Sequence, residues 1–181
     1  KKLTLLLLIM ALFTSTSNTA HSVNPFFTDY ETLFQIPPFE EIKMEHYKPG
    51  FEQGMKEHLD EINDITANTA AATFENTFVA LERTGKTLDK VSDVFFNLLS
   101  SNTNDQMDSL AQEMSPKLSA HSDSILLNKD LFHRVKSVYE KRKSLSLNPE
   151  QTRLIEETHK YFVRAGVQLD ENSMERLTEI N

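Results

Sequence analysis

Apolar residues recur at helical spacing through residues 73–99, and this stretch constrains the fold of the chain most strongly. Thr73 can cap the start of a first helix, and Gly85 is placed to end it in a left-handed turn. The apolar face between them carries Phe74, Phe78 and Leu81. A wide apolar stripe follows the glycine and consists of Leu88, Val91, Val94, Phe95, Leu98 and Leu99. The stretch therefore predicts two helices that each bury one face in a core.

Start and stop signals divide the chain after residue 100 into four further helices. The predicted capping residues are Thr103, Asn128, Asn148 and Asp170. Pro116 marks a position where the first of these helices can break or kink. Gly166 is expected to end the helix that Asn148 opens. The apolar face of that helix is assigned to Leu154, Thr158, Tyr161 and Ala165.

An earlier helix is predicted over residues 44–65, where apolar positions again lie three and four residues apart. Its face carries Phe51, Met55, Ile62 and either His58 or Leu59. Gly50 and Gly54 lie within it, although each glycine costs a helix interior about 1 kcal/mol relative to alanine. We expect both glycines to allow another element to approach closely.

No part of the sequence alternates with a period of two, and the Asn-Gly and Asp-Gly hairpin signals do not occur. The low content of four glycines and six prolines in 181 residues also favours long helices over tight turns. The sequence therefore predicts an all-α fold in which successive helices, joined by short loops, are antiparallel neighbours.

The first 22 residues have the composition of a secretory signal peptide. Lys1 and Lys2 precede the apolar segment 3–13, which is too short to span a bilayer, and a small, polar cleavage region follows. Cleavage after Ser17 fits the small-residue rule better than cleavage after Ala20. We expect export, to the periplasm in a bacterium, without a stable membrane anchor and without a lipidated cysteine, because the chain has no cysteine.

Residues 23–42 are predicted to form an extended arm, and residues 43–181 a helical domain that is incomplete at its carboxyl end. Prolines hold the arm extended, since each biases the residue before it away from helix. Two apolar segments, 24–27 and 36–39, are expected to hook the arm onto the core.

Charge and residue content exclude several classes of function. The net charge is −8 and no basic patch occurs, so a nucleic-acid partner is not expected. The absence of cysteine excludes disulfides and thiolate metal sites. Neither a glycine-rich phosphate loop nor a Gly-x-Ser-x-Gly nucleophile elbow is found.

The six histidines do not form a zinc-peptidase motif. Such a motif needs two histidines one helical turn apart and a glutamate beside the first, as in His-Glu-x-x-His. Here the smallest separation is twelve residues, between His46 and His58 and between His121 and His133. His121 and Asp123 are assigned a local hydrogen bond on a helix rather than a titrating role. We therefore predict no catalytic, cofactor-binding or metal-binding residue within this sequence.

Several segments in one order resemble the thimet-oligopeptidase family of zinc metallopeptidases. The resemblance includes residues 73–99 and covers nearly all of the chain after the signal. The other segments are Pro38–Phe39 with Ile42, His46–Phe51, Gly54–Met55, Pro116–Leu118, His121–Asp123, Leu127–Asn128, Leu131–Val135, Phe162–Asp170, Leu177 and Glu179–Asn181. The final segments are most similar to the branch of bacterial peptidyl-dipeptidases.

The resemblance implies a parent enzyme that is larger than this sequence. Members of the family are almost all-helical, two-lobed ellipsoids with a deep channel and a zinc site in the carboxy-terminal half. This segment would then be an amino-terminal channel wall that restricts access to short peptides. The implied partners are short peptide substrates and the catalytic half of the same chain, and the implied zinc ligands follow Asn181.

Three hypotheses follow for the function. The first is the amino-terminal part of an exported zinc metallopeptidase that releases carboxy-terminal dipeptides from short peptides. The second has the same parent architecture but an endopeptidase activity of the oligopeptidase A type. The third is a helical binding or scaffold module without catalysis. Under the first two hypotheses, we predict that the segment alone is inactive.

Overall fold

The computed structural model describes residues 23–180 and shows helices arranged around a two-part interior. The predicted signal peptide, residues 1–22, and the final residue, Asn181, lie outside the described residues. The α-helices of the described range are α1 (Met44–Ala67), α2 (Lys86–Ser101), α3 (Asp105–Leu126), α4 (Lys129–Lys141), α5 (Pro149–Ala165) and α6 (Glu171–Ile180). Residues 23–180 form no strand, which confirms the all-α prediction.

Shorter helical turns connect or precede these helices. They are the 3-10 turns Pro25–Phe27, Leu33–Gln35 and Arg142–Ser144 and the π-helical turn Phe74–Val79. Among the helices of residues 23–180, none has both the length and the apolar character that a membrane span requires.

Two apolar clusters fill the interior, and α1 and α3 contribute to both. The amino-terminal core consists of Phe26, Ile42, Tyr47, Phe51, Leu88, Val91, Val94, Phe95, Met107 and Met114. The carboxy-terminal core consists of Ile62, Ile65, Phe78, Ile125, Leu131, Phe132, Val135, Val138, Ile155, Phe162 and Val167. The boundary between the two cores therefore crosses α1 between Phe51 and Ile62, and α3 between Met114 and Ile125.

The two glycines of α1 allow α2 to pack closely, as predicted. A Cβ atom at Gly54 would lie 2.8 Å from the backbone Cα and N atoms of Leu88. At Gly50 it would lie 3.1 Å from side-chain atoms of Phe26 and Val91. Alanine at Gly54 would force the two helix backbones apart, because main-chain atoms cannot rotate away.

The arm docks through one of its two predicted hooks. Phe26 is completely buried, and its ring centroid lies 5.5 Å from that of Tyr47. The second hook is wrong, because Phe39 is 52% exposed. The backbone folds back there, with the amide of Glu41 donating to the carbonyl of Pro38 at 2.9 Å. This turn brings Ile42 into the amino-terminal core instead.

Most predicted helix boundaries are confirmed. The side chains of Thr73, Asn128, Asn148 and Asp170 each accept a hydrogen bond from a first-turn amide. Gly85 and Gly166 adopt left-handed conformations with φ of +78° and +99°. The cap of α3 is different, because Asn104 accepts from the amides of Gln106 and Met107.

Three details of the helices differ from the sequence predictions. Thr103 binds the carboxylate of Asp108 at 2.8 Å rather than capping α3. Pro116 does not break α3, because the carbonyl that loses its partner belongs to Gln112 on the solvent-exposed side. The apolar face of α5 was assigned one position too early, since Ile155 and Phe162 are buried whereas Tyr161 is 60% exposed.

Candidate functional site

The structure brings two of the histidines into contact and leaves the others apart. His58 on α1 and His121 on α3 are 63 residues apart in sequence, yet His58 Nδ1 lies 3.1 Å from His121 Nε2. Their ring centroids are 5.1 Å apart, and the rings are tilted by 55°. Only 8% of the surface of His121 is exposed to solvent. We refer to these two side chains as the histidine pair.

The turn before α2 completes the polar cluster around His58. Thr84 Oγ1 lies 3.1 Å from His58 Nε2 and donates its hydroxyl proton to the carbonyl of Leu81 at 2.7 Å. The amide of Gly85 donates to Glu61 Oε2 at 2.7 Å. A Cβ atom at Gly85 would lie 3.0 Å from the His58 ring, so the glycine also provides room for the imidazole. The cluster thus links α1, α3 and this turn.

Burial lowers the pKa of both rings of the histidine pair. For His58, desolvation outweighs the attraction of the carboxylates of Glu61 and Asp89, which favour the charged ring. For His121, desolvation is again the main cause, and repulsion from His58 adds to it. The pKa of Asp89 is raised, mainly by desolvation and then by the nearby carboxylate of Asp93. Both imidazoles are therefore favoured in the neutral form at pH 7.

The histidine pair lies at the boundary between the two cores. On α1, His58 lies between Phe51 of one core and Ile62 of the other. On α3, His121 lies between Met114 and Ile125. A signal for this arrangement was present in the sequence, since both histidines interrupt apolar faces. Their pairing across 63 residues was not predictable, because the register between α1 and α3 is a tertiary property.

The other described histidines have separate surroundings. His46 Nδ1 accepts a hydrogen bond from the backbone amide of Lys43 at 3.0 Å. His133 is exposed on α4. His159 stacks on Tyr139 with a centroid distance of 3.8 Å, in a contact between α4 and α5. His21 lies outside the described residues.

The described part of the chain does not fit the zinc ion that the family resemblance implies. Residues 23–180 contain no group of three or more histidines and carboxylates able to hold a metal. The histidine pair offers two ligands, and its facing nitrogens are already in hydrogen-bond contact with each other. A zinc site needs at least three protein ligands. No chemical step through zinc is therefore derived for these residues.

A cleft lies between α3 and α6. It encloses about 710 Å³, and its lining includes Pro116, Ala120, Asp123, Met174 and Thr178. Asp123 thus lies on the α6 side of α3, whereas His121 contacts α1. The sequence assigns these two residues to one local hydrogen bond, but their side chains lie on different sides of α3.

Comparison with known proteins finds peptidases. The chain is 40% identical to the dipeptidyl carboxypeptidase of Salmonella typhimurium and 36% identical to that of Escherichia coli, each over 160 residues. These matches cover 88% of this chain and 24% of each relative, so the chain spans about a quarter of their length. Oligopeptidase A of Escherichia coli is 22% identical over 149 residues, which are 82% of this chain and 22% of that protein. No protein-family model matches the chain.

These matches confirm the resemblance found in the sequence segments. The identity is higher with the dipeptidyl carboxypeptidases than with oligopeptidase A, in agreement with the branch that the segments after Phe162 indicate. Both kinds of relative are members of one family. The chain therefore belongs to the thimet-oligopeptidase family.

Proposed function

We propose that this chain is the amino-terminal, channel-forming segment of an exported zinc metallopeptidase that releases dipeptides from the carboxyl end of short peptides. The observation that carries the proposal is the identity of 36–40% with two dipeptidyl carboxypeptidases along 88% of the chain. The function of those relatives is transferred here only as a proposal, because the chain spans about a quarter of their length.

Within this proposal, the described residues form a structural part of the enzyme and take no part in catalysis. Their helices surround two cores that are filled by large apolar side chains. Such packing suits the rigid wall of a channel. The zinc ligands and the catalytic glutamate are proposed to lie beyond Asn181. Short peptides and the catalytic half of the same protein are the proposed partners. Residues 1–22 are proposed to direct export to the periplasm and to be removed.

Metal-dependent hydrolysis by the full-length protein tests this proposal. We expect the purified protein to cleave short peptides, to lose this activity on chelation, and to regain it with added zinc. We also expect the reading frame beyond Asn181 to encode His-Glu-x-x-His. A full-length protein without this motif and without hydrolysis of short peptides would contradict the proposal and favour a binding or scaffold module.

A further inference from the structure

We propose that the histidine pair is a pH-sensitive joint, which holds α1 to α3 when both rings are neutral and weakens when it takes up one proton. The contact is partly buried, with His121 on its buried side, and the proposed peptidase function does not use it.

The hydroxyl of Thr84 fixes the tautomer of His58. A threonine hydroxyl has one proton to donate, and its contact with the carbonyl of Leu81, at 2.7 Å, is shorter than its contact with His58, at 3.1 Å. With the proton donated to Leu81, the oxygen can only accept from His58. The Nε2 atom of His58 therefore carries a proton, and Nδ1 of the neutral ring is an acceptor.

The tautomer of His121 follows from that of His58. Because His58 Nδ1 is an acceptor, His121 Nε2 must donate to it across 3.1 Å. The remaining nitrogen, His121 Nδ1, is then an unprotonated acceptor. It is buried and has no hydrogen-bond partner. The reverse chain of donors would place an unpaired N–H at this same buried atom, which is costly.

A single added proton always leaves a proton on His121 Nδ1. Protonation of His121 places it there directly. Protonation of His58 at Nδ1 forces His121 Nε2 to become the acceptor, so the proton of His121 moves to Nδ1. In both cases a buried N–H faces no acceptor, at the boundary between the two cores. The neutral pair has no such unpaired donor.

The surrounding charges do not supply a partner for that proton. Glu61 and Asp89 face His58 rather than His121, and Glu61 is bonded to the amide of Gly85. On α3, Lys117 lies one turn before His121, and its ammonium is 2.8 Å from Glu113. Asp123 lines the cleft toward α6. The lowered pKa of both rings agrees with a joint that excludes the charged form.

The sign of the pH dependence follows from this exclusion. When α3 separates from α1, the rings return toward the ordinary histidine pKa of about 6.5 and bind protons that the closed joint does not hold. Acid therefore favours opening. The closed joint is fully stable above about pH 6.5 and loses stability as the pH falls toward the lowered pKa values. For each proton bound on opening, the equilibrium constant for opening rises by up to about tenfold per pH unit.

Hydrogen exchange in the full-length protein tests the joint. After correction for intrinsic exchange rates, the amides around His121 should lose protection between pH 7.5 and pH 5.5. His121→Gln keeps a donor near His58 Nδ1 but cannot titrate, so this loss should shrink severalfold. His133→Gln on the exposed face of α4 is the matched control and should retain the full loss. Equal pH dependence in His121→Gln and the wild type would overturn the proposal.

A second measurement needs no variant, so it decides the question even if His121→Gln does not fold. Nitrogen NMR of histidine-labelled full-length protein at pH 7.5 reports which ring nitrogens carry protons. We expect both His58 and His121 to be neutral and protonated at Nε2. A proton on His121 Nδ1 at this pH, or a charged ring in either residue, would contradict the proposal.

Discussion

At the scale of single residues, contacts with main-chain atoms constrain this chain more tightly than contacts with side chains. Gly54 and Gly50 both lie inside α1, and the α2 region faces both. The neighbour of Gly54 is the backbone of Leu88, whereas the neighbours of Gly50 are the side chains of Phe26 and Val91. Side chains can adjust by a few tenths of an ångström, and a helix backbone moves only with the whole helix.

The two glycines therefore give a matched pair of variants. Alanine gains about 1 kcal/mol of helix propensity at either position. We expect Gly54→Ala nevertheless to lower the free energy of unfolding by about 1–3 kcal/mol, because it overpacks the α1–α2 contact. Gly50→Ala should have a smaller effect. Urea titration of both variants measures the difference, and a Gly54→Ala variant more stable than the wild type would contradict the packing described.

Arg134 provides a second prediction at this scale. It is buried on α4, and its guanidinium donates to the carbonyls of Asn68 at 2.7 Å and Ala70 at 3.3 Å, and to the side chain of Asn76 at 3.0 Å. Arg134→Ala removes all three hydrogen bonds and takes the guanidinium donor away from the carbonyls of Asn68 and Ala70, at a cost of about 1–3 kcal/mol.

The loop that Arg134 holds is the place to measure this cost. We expect limited proteolysis within residues 68–73 to become roughly tenfold faster or more in Arg134→Ala, since 1.4 kcal/mol corresponds to a factor of ten. Arg153→Ala, on the exposed side of α5, should leave the cleavage rate nearly unchanged. Equal rates in the wild type and Arg134→Ala would show that the loop is held by other contacts.

At the scale of helices, the sequence signals identified most starts and ends because these depend on local chemistry. Asn148 illustrates this, since its side chain and that of Gln151 cap the helix reciprocally at 2.8 and 3.0 Å. The face of α5 was missed because Leu154 and Tyr161 fit the helical period as well as Ile155 and Phe162 do. Only the docking of α4 decides which of these two overlapping stripes is buried.

The start of α3 is the position where two local signals compete. Thr103 with Gln106 fits the capping-box spacing, but Asn104 makes the cap through two amides at 3.0 Å each. We expect Asn104→Ala to destabilise the first turn of α3 by about 1 kcal/mol and to accelerate amide exchange at Gln106 and Met107. Thr103→Ala should change these amides less. A larger effect of Thr103→Ala than of Asn104→Ala would contradict this cap and support the capping box predicted from the sequence.

At the scale of the whole molecule, family membership rests on sequence similarity, and the structure describes two helical cores with the histidine pair between them. The metal-binding motif could be sought in the sequence because it is local, and residues 23–180 hold no group that suits a metal. The histidine pair was beyond such a search, because it forms only when α1 and α3 pack. Sequence alone thus identified the family and the fold class, but not the polar contact at the boundary between the two cores.

We propose that the catalytic groups lie outside this segment, and this leads to a prediction about the segment in isolation. Residues 23–181, expressed alone, should hydrolyse no short peptide in the presence of zinc, because the proposed catalytic groups lie elsewhere. A sensitive fluorogenic peptide assay, with the full-length protein as the positive control, measures this. Zinc-dependent hydrolysis by the segment would show that it contains its own catalytic site.

Product analysis most directly tests the central claim, that this chain is part of a dipeptide-releasing peptidase. The full-length protein is incubated with one short peptide in two forms, with a free and with an amidated carboxyl end, and the products are identified by mass spectrometry. We predict successive loss of carboxy-terminal dipeptides from the free form and little or no cleavage of the amidated form. Internal cleavage of both forms at equal rates would contradict the claim and indicate an endopeptidase.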